Sequence, residues 1–178
     1  PKVRGERVEV RDFCLDRTEV TLAEYLACRA CSPAAAYDPT DQHLRACVYM
    51  SPEASPRVPV NCVDFDQARA FCAARKGRLP RVEEFEWVAR GGDQARLFAW
   101  GDVALEAGGC WSIGQRRSGV CPVGVHPATD ARWGIANLAD NVAEWVVKSR
   151  GSAHAVMGGA WSCDDAKCAQ AAYRLPAQ

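Results

Sequence analysis

The chain has 178 residues with 22 basic and 22 acidic side chains, so it carries no net charge. A neutral chain creates no field that would attract a polyanion, which disfavours nucleic-acid binding, and no apolar run approaches the ~20 residues of a membrane span. The length suits a single domain over residues 1–178.

The first predicted elements are a strand and a capped helix. Alternation of apolar and polar residues within 8–12 predicts a short strand. Thr21 and Glu24 have the spacing of a capping box, which predicts a helix over about Leu22–Cys31. The segment 32–59 is rich in proline, serine and aspartate without a clear period, so we expect a long irregular loop.

Two further helices and a loop-rich second half follow. Asp64 caps a predicted helix that ends near Gly77, and a third helix is predicted over 81–90. Residues 93–150 show little periodicity, and two short strands are expected in the last part of the chain, around its final cysteines. Helices and strands do not alternate regularly, so the predicted fold class is α+β with extensive coil rather than a parallel α/β sheet.

The chain contains ten cysteines, an even number spread over its whole length. They are Cys14, Cys28, Cys31, Cys47, Cys62, Cys72, Cys110, Cys121, Cys163 and Cys168. This usage favours a disulfide-rich fold and a secreted or extracytoplasmic, oxidising location. A zinc site is disfavoured because a single CxxC occurs and the three histidines are scattered. A thioredoxin-type dithiol is disfavoured because its CxxC would open a helix, whereas Cys28 and Cys31 close one.

Six motifs then identify a family by resemblance. The segments FCLDRTEVTLAEYLAC, VPVNCVDFDQARAFC, KGRLPRVEEFEWVARGG, FAWGD, GIANLADNVAEWV and VMGGAWSC occur in the order typical of formylglycine-generating enzymes, the sulfatase-modifying factor family. The resemblance covers about 8–174 and implies a C-type-lectin-like fold with a small antiparallel sheet and two or three helices. It also implies an apolar segment before the first strand and a closing strand after 171–174, so we expect both ends to be trimmed.

The resemblance implies a catalytic pair. In the enzyme, two cysteines after a Gly-Gly-Ser-aromatic turn bind Cu(I), and oxygen then oxidises a cysteine of a Cys-x-Pro-x-Arg peptide to formylglycine. Cys163 and Cys168 have the spacing of that pair, and thiolates are the ligands that Cu(I) prefers.

Three departures point away from catalysis. Ala160 stands where the enzyme has serine, and Tyr173 and Arg174 lie further along than the enzyme's tyrosine and arginine. Asp164 and Asp165 follow Cys163 directly, and negative charge disfavours a thiolate. A structural disulfide is therefore the favoured interpretation of the Cys163/Cys168 pair.

A second candidate site is a calcium site. Carboxylates, amide oxygens and backbone carbonyls in a tight turn suit this hard cation. The resemblance implies such a site within Asp140, Asn141, Val142 and Glu144, with Asn141 and Glu144 as side-chain ligands and Val142 as a carbonyl donor. The alternative is that Asn141 and Glu144 satisfy buried backbone groups of the coil.

Disulfide pairing is less well defined by the sequence. We favour Cys110 with Cys121 and, more weakly, Cys62 with Cys72. Cys14, Cys28, Cys31 and Cys47 would then pair among themselves, with Cys28 and Cys31 taking separate partners. Five of the six tryptophans lie in family motifs and are expected in the core, whereas Trp111 is expected to be exposed.

These observations favour an extracytoplasmic binding or recognition module whose protein, peptide or carbohydrate ligand is unknown. The alternative is a copper-dependent oxidase that acts on a protein cysteine through Cys163 and Cys168. A hypervariable ligand-binding domain of the lectin type is disfavoured because asparagine does not occur after Asn141.

Overall fold

The computed structural model describes residues 8–105, 107–148 and 153–175. In these ranges the chain forms three α-helices, α1 (Leu22–Ala27), α2 (Phe65–Ala74) and α3 (Val82–Ala89), and two strands, β1 (Glu144–Val147) and β2 (His154–Met157). Short 3-10 helices lie at Leu44–Ala46, Gly92–Gln94, Pro127–Thr129, Arg132–Gly134 and Ala166–Ala169. The predicted α+β class with extensive coil is confirmed.

The first two helices begin at the predicted caps. Thr21 accepts a hydrogen bond from the Glu24 amide, and the Glu24 carboxylate accepts from the Thr21 amide. Asp64 and Gln67 form the same reciprocal pair at the start of α2. Each pair satisfies amides that the helix itself leaves unpaired, which fixes where the helix starts.

The main hydrophobic core lies between α3 and the β1–β2 hairpin. Phe85 of α3 packs there with Val146 of β1 and Met157 of β2, and all three are almost fully buried. Glu84, on the same helix, makes a bidentate ion pair with Arg78 at 2.7 Å and accepts from the Arg81 amide. α3 is therefore held to the core by its apolar face and to the preceding loop by one carboxylate.

The sheet is a single antiparallel hairpin within the described residues, with Glu144 paired to Met157 and Val147 to His154. Strand β2 lies just before the predicted pair of cysteines. Strand β1 was not predicted, because it lies within 93–150, where the sequence shows little periodicity. After the cysteines, Arg174 makes only an isolated bridge to Met157, so the second predicted strand is wrong in extent.

The predicted strand at 8–12 is wrong. Residues 8–16 have no strand assignment. Phe13 and Leu15 pack against the main core, which explains the alternation, yet a strand also needs a ladder partner. A backbone hydrogen bond forms just after this segment, where the Ala136 amide donates to the Arg17 carbonyl.

Helix α1 is shorter than predicted, and the expectation of separate partners for Cys28 and Cys31 is wrong. The two cysteines are bonded to each other, with Cα atoms 5.4 Å apart. Cys28 is already extended, its amide donates to the Tyr25 carbonyl, and the Cys31 amide donates to the Cys28 carbonyl. The chain therefore leaves the helix in a tight turn that brings the two thiols together.

The weaker pairing prediction, Cys62 with Cys72, is also wrong, because Cys62 is bonded to Cys47. The Asn61 side chain accepts from the Val48 amide and donates to the Ala46 carbonyl, which holds the Cys47 loop against Cys62. Cys72 is a free thiol on α2, and Cys14 is free as well.

Cys110 and Cys121 form the favoured pair, with Cα atoms 6.1 Å apart. Together with the bonds Cys28–Cys31, Cys47–Cys62 and Cys163–Cys168, this gives four disulfides, which is consistent with an oxidising compartment. Among the described residues, the helices are too short and too polar to cross a membrane.

The predicted exposure is wrong for three tryptophans. Trp111 is completely buried, whereas Trp87 and Trp133 are 42% and 55% exposed. Trp111 belongs to the loop closed by the Cys110–Cys121 bond and packs with Phe98 in a buried cluster, so this loop position next to a cysteine is a core position. Its indole N–H has no acceptor within the described residues.

Candidate functional site

The turn that carries Cys163 is shaped by two glycines. Gly158 has a φ of +85°, and a Cβ atom there would lie 2.7 Å from the Leu138 carbonyl oxygen. A larger residue would meet both a disfavoured backbone conformation and a steric clash. The Trp161 amide donates to the Asn141 carbonyl at 2.8 Å. These contacts fix the turn against the segment 138–141.

The same turn is attached to the Cys110–Cys121 loop. The Ser112 amide donates to the Cys163 carbonyl at 2.7 Å, and the Ser112 hydroxyl donates to the Trp161 carbonyl at 2.9 Å. Cys163 also packs against the cluster that contains Trp111. The cysteine turn is thus part of a hydrogen-bonded and packed unit.

Cys163 and Cys168 are joined by a disulfide, with Cα atoms 6.2 Å apart. Cys163 is half-buried, whereas Cys168 is only 7% exposed. The Ala160 amide points to the Cys163 sulfur at 3.4 Å. The pair therefore lies together, as the spacing suggested, but one sulfur is covered.

Negative charge flanks the pair. Asp165 caps the 3-10 helix that carries Cys168 and accepts from the Lys167 amide at 2.8 Å. The Lys167 ammonium lies 3.9 Å from the Asp165 carboxylate, so its charge is directed toward that carboxylate. Asp164 is exposed beside Cys163. Carboxylates next to a thiol disfavour its thiolate form.

Both carboxylate oxygens of Asp140 accept hydrogen bonds. It is completely buried, and its carboxylate accepts from the Cys110 amide at 2.7 Å, the Thr129 hydroxyl at 3.2 Å and the Asn137 side chain at 2.9 Å. These donors satisfy a buried charge in a coil that lacks a ladder.

Asn141 is engaged in the same way. Its side-chain oxygen accepts from the Cys121 amide, and its nitrogen donates to Glu19 and to the Cys121 carbonyl. Asn141 has a φ of +64°, a left-handed conformation that asparagine tolerates better than most residues. The side chain thus links the Cys110–Cys121 loop to the segment around Glu19.

Glu19 is the main site residue that the sequence analysis missed. It is buried, accepts from the Asn141 side chain at 2.8 Å and accepts from the Val142 amide at 3.1 Å. Burial raises the pKa of Glu19 well above its ordinary value, and the nearby Glu144 carboxylate raises it further. The signal available in the sequence was its place inside the DRTEVT motif.

Glu144 lies at the start of β1 and lines a cavity of about 570 Å³. Burial raises the pKa of Glu144 to about 7, and the Asp16 carboxylate adds to the effect. The Glu144 carboxylate has no hydrogen-bond partner among the described residues, although its backbone belongs to the β1–β2 ladder. Of the four predicted calcium-site residues, it is the one whose carboxylate is available to a ligand.

The cavity also contains basic and thiol groups. Its wall includes Arg75 and Arg78, and both free cysteines, Cys14 and Cys72. Neither Cys163 nor Cys168 lines this cavity. The cysteine pair that the motif identified therefore lies outside this cavity.

One potential metal-ligand group is closed by a disulfide. The Cys110 and Cys121 sulfurs and a ring nitrogen of His126 lie within 4.8 Å of one another. Because the two sulfurs are bonded to each other, they do not offer thiolates to a metal.

Comparison with known proteins gives one family. The family model described as Sulfatase-modifying factor enzyme 1-like domain matches residues 3–177. "Inactive C-alpha-formylglycine-generating enzyme 2" of Bos taurus is 35% identical over 96 residues, which are 49% of this chain and 32% of that protein. "Formylglycine-generating enzyme" of Streptomyces coelicolor is 30% identical over 156 residues, 69% of this chain and 48% of that protein.

The solved structure of CarF superposes with a TM-score of 0.65 at 18% identity, over 89% of this chain and 80% of that one, and supports the fold alone. The chain spans about a third of the length of the bovine relative and about half that of the Streptomyces relative. The name of the bovine relative describes an inactive protein, and the name of the Streptomyces relative describes an enzyme. The two names therefore do not decide whether this chain is catalytic.

Proposed function

This chain belongs to the sulfatase-modifying factor enzyme 1-like domain family, and from that premise we propose that it is a non-catalytic recognition module of a secreted or extracytoplasmic location. The observation that supports the proposal is the bond between Cys163 and Cys168, whose second sulfur is buried. Three other cysteine pairs in the same chain are bonded, so the pair resembles its structural neighbours.

The chemistry of the turn agrees with this role. Cu(I) binds thiolates, and a disulfide offers none until two electrons reduce it. After reduction, the Asp164 and Asp165 carboxylates would oppose thiolate formation at Cys163. Ala160 also lacks the hydroxyl that the family's enzyme offers at this position. The local sequence therefore stabilises the bonded form.

The recognition site in this proposal is the cavity of about 570 Å³. Its wall combines apolar groups such as Phe71 with the acidic Glu144 and the basic Arg75 and Arg78. A cavity with charges of both signs suits a zwitterionic or polar ligand, such as a peptide segment or a carbohydrate, better than a polyanion.

We also propose that calcium binds in this cavity at Glu144, with Glu19 nearby, rather than at the Asp140 and Asn141 side chains. Asp140 and Asn141 already bind backbone and side-chain donors, whereas Glu144 is available. Burial raises the pKa of both carboxyl groups, Glu144 raises that of Glu19 further and Asp16 that of Glu144, and a hard cation would stabilise the two groups as anions. Val142 offers its carbonyl in the same segment.

The second candidate function is the copper-dependent oxidation of a protein cysteine. The observation that favours it is the sulfur pair itself, because two reduced thiolates at this separation are a suitable donor set for Cu(I). Bound copper would supply the activation of oxygen. The chain itself would present the half-buried Cys163 to the substrate thiol.

The distinguishing experiment is a turnover assay with Cu(I), oxygen and a Cys-x-Pro-x-Arg peptide. We expect no conversion of the peptide cysteine to formylglycine, by mass spectrometry, for the wild type or for Cys163→Ser. The Cys110→Ser, Cys121→Ser double variant controls for copper binding at another pair. Conversion that requires Cys163 would contradict the recognition proposal and establish the oxidase.

A further inference from the structure

Two thiols stay unpaired in a chain whose other eight cysteines are bonded, and both line one cavity. We propose that Cys14 and Cys72 form a dithiol site that reacts with a small disulfide of the glutathione class and closes as a fifth disulfide across the cavity wall. This inference concerns a different site from Cys163 and Cys168 and holds whichever function that pair has.

The segment before α1 contributes Cys14 to the cavity wall. Phe13 and Leu15 pack against the main core, whereas Cys14 and Asp16 are exposed. Burial therefore alternates from residue to residue along 13–16, the pattern of side chains on opposite faces. Cys14 and Asp16 therefore share the face that points away from the core.

Helix α2 presents the second thiol on the matching face. Cys72 and Arg75 are three residues apart, and side chains at that spacing are neighbours on a helix surface. The Arg75 guanidinium lies 3.6 Å from the Asp16 carboxylate. The ion pair between Asp16 and Arg75 joins the two segments close to both thiols, and Cys14 and Cys72 line the same cavity beside it.

The two thiols differ in access, which sets the order of events. Cys14 is exposed, so a dissolved disulfide reaches it first. Cys72 is half-buried, and burial together with the Asp16 carboxylate raises the pKa of its thiol. Cys72 is therefore the resolving thiol, which reacts after Cys14 has been activated.

The reaction balances as two thiol–disulfide exchanges. The Cys14 thiolate attacks one sulfur of glutathione disulfide, forming a mixed disulfide and releasing one glutathione thiolate. The Cys72 thiolate then attacks the Cys14 sulfur, the mixed disulfide breaks, and a second glutathione thiolate leaves. The protein loses two hydrogens, which the two glutathione molecules carry, and the small disulfide is the oxidant.

The new bond would join the segment before α1 to α2 at the cavity wall. A loop of this length constrains the unfolded chain strongly, so we expect the melting temperature to rise by about 5 to 10 °C on oxidation. Ligands that enter the cavity on the side of Cys14 would bind differently to the two forms.

The test equilibrates the full chain in reduced and oxidised glutathione, traps free thiols by alkylation, and maps peptides without reduction. We expect a cross-linked peptide pair that contains Cys14 and Cys72, with the four other disulfides unchanged. The Cys14→Ser variant should lose this product and the rise in melting temperature. The Cys72→Ser variant should stop at a mixed disulfide on Cys14.

A positioning test uses two arginines of α2. The Arg75→Ala variant removes the ion pair with Asp16 and should slow closure by about two- to five-fold, the effect of an exposed ion pair. The Arg69→Ala variant is the matched control, because Arg69 pairs with Asp66 on the same helix, and its rate should equal that of the wild type. Alkylation of both Cys14 and Cys72 after equilibration, or a bond from Cys72 to Cys28 or Cys31, would overturn the proposal.

Discussion

Two regions of this molecule hold cysteine in different chemical states. In the turn after β2, Cys163 and Cys168 share a bond and are fixed by hydrogen bonds to the neighbouring loop. In the cavity beside α2, Cys14 and Cys72 are thiols next to carboxylates and arginines. The turn carries the family motif, whereas the cavity carries the free volume and the available charges. A motif can therefore identify a family while the groups available for binding lie elsewhere.

The largest effect is expected in the buried network behind the turn. Asp140→Ala would leave the Cys110 amide and the Asn137 side chain without their acceptor, at a cost of about 3 to 5 kcal/mol in the free energy of unfolding. Urea denaturation measures this change. The exposed Asp164→Ala is the control and should stay within about 0.5 kcal/mol of the wild type. If both variants changed the free energy of unfolding by the same amount, the buried Asp140 hydrogen bonds would not hold the turn as described.

The next prediction concerns Glu144 in the cavity, whose contribution to stability depends on pH. Glu144 has an ordinary pKa of 4.5 that is raised to about 7 in the fold, so the unfolded chain releases this proton first. Stability from this group is complete below pH 4.5 and is lost as the pH rises to about 7. The loss above that pH is about 3 kcal/mol at most.

Glu144→Gln should therefore become more stable relative to the wild type as the pH rises from 5 to 8, as measured by urea denaturation at both values. Exposed Glu53, which lies outside the cavity, provides the matched Glu→Gln control. If calcium binds as proposed, adding it at pH 8 should stabilise the wild type but not Glu144→Gln. Equal stabilisation of both would remove Glu144 from the calcium proposal.

A smaller loss of stability is expected when either of two disulfides near the turn is removed. Replacing Cys163 and Cys168 by alanine should cost about 2 kcal/mol, and replacing Cys110 and Cys121 about 3 kcal/mol, because the second bond closes a longer loop. Thermal and urea unfolding measure both values. A Cys163/Cys168 variant as stable as the wild type would argue against a structural role for that bond.

Local sequence signals predicted the elements that depend on local physics. The Thr21 and Asp64 capping boxes gave the starts of α1 and α2, and the apolar period of α3 gave its buried face. The strand at 8–12 failed because a strand also needs a partner that local alternation does not specify. The same limit applies to β1, whose pairing with β2 is a tertiary contact.

The same difference between local signals and tertiary contacts applies to the site residues. The Cys163/Cys168 pair lies close in sequence and was identified by its resemblance to the family motif, whereas Glu19 and Asn141 meet across 122 positions. Cys62 pairs with Cys47 because the Asn61 side chain anchors the loop, a contact that no spacing rule contains. Trp111 became core through the fold of its loop around it.

The most direct test of the central claim is the oxidation state of the last two cysteines. Native protein is alkylated without reduction, digested and mapped by mass spectrometry, and a second sample is titrated with Cu(I). The account predicts a peptide cross-linked through Cys163 and Cys168 and no copper bound at this pair. Alkylated Cys163 and Cys168, with one Cu(I) bound per chain and lost in Cys163→Ser, would contradict it.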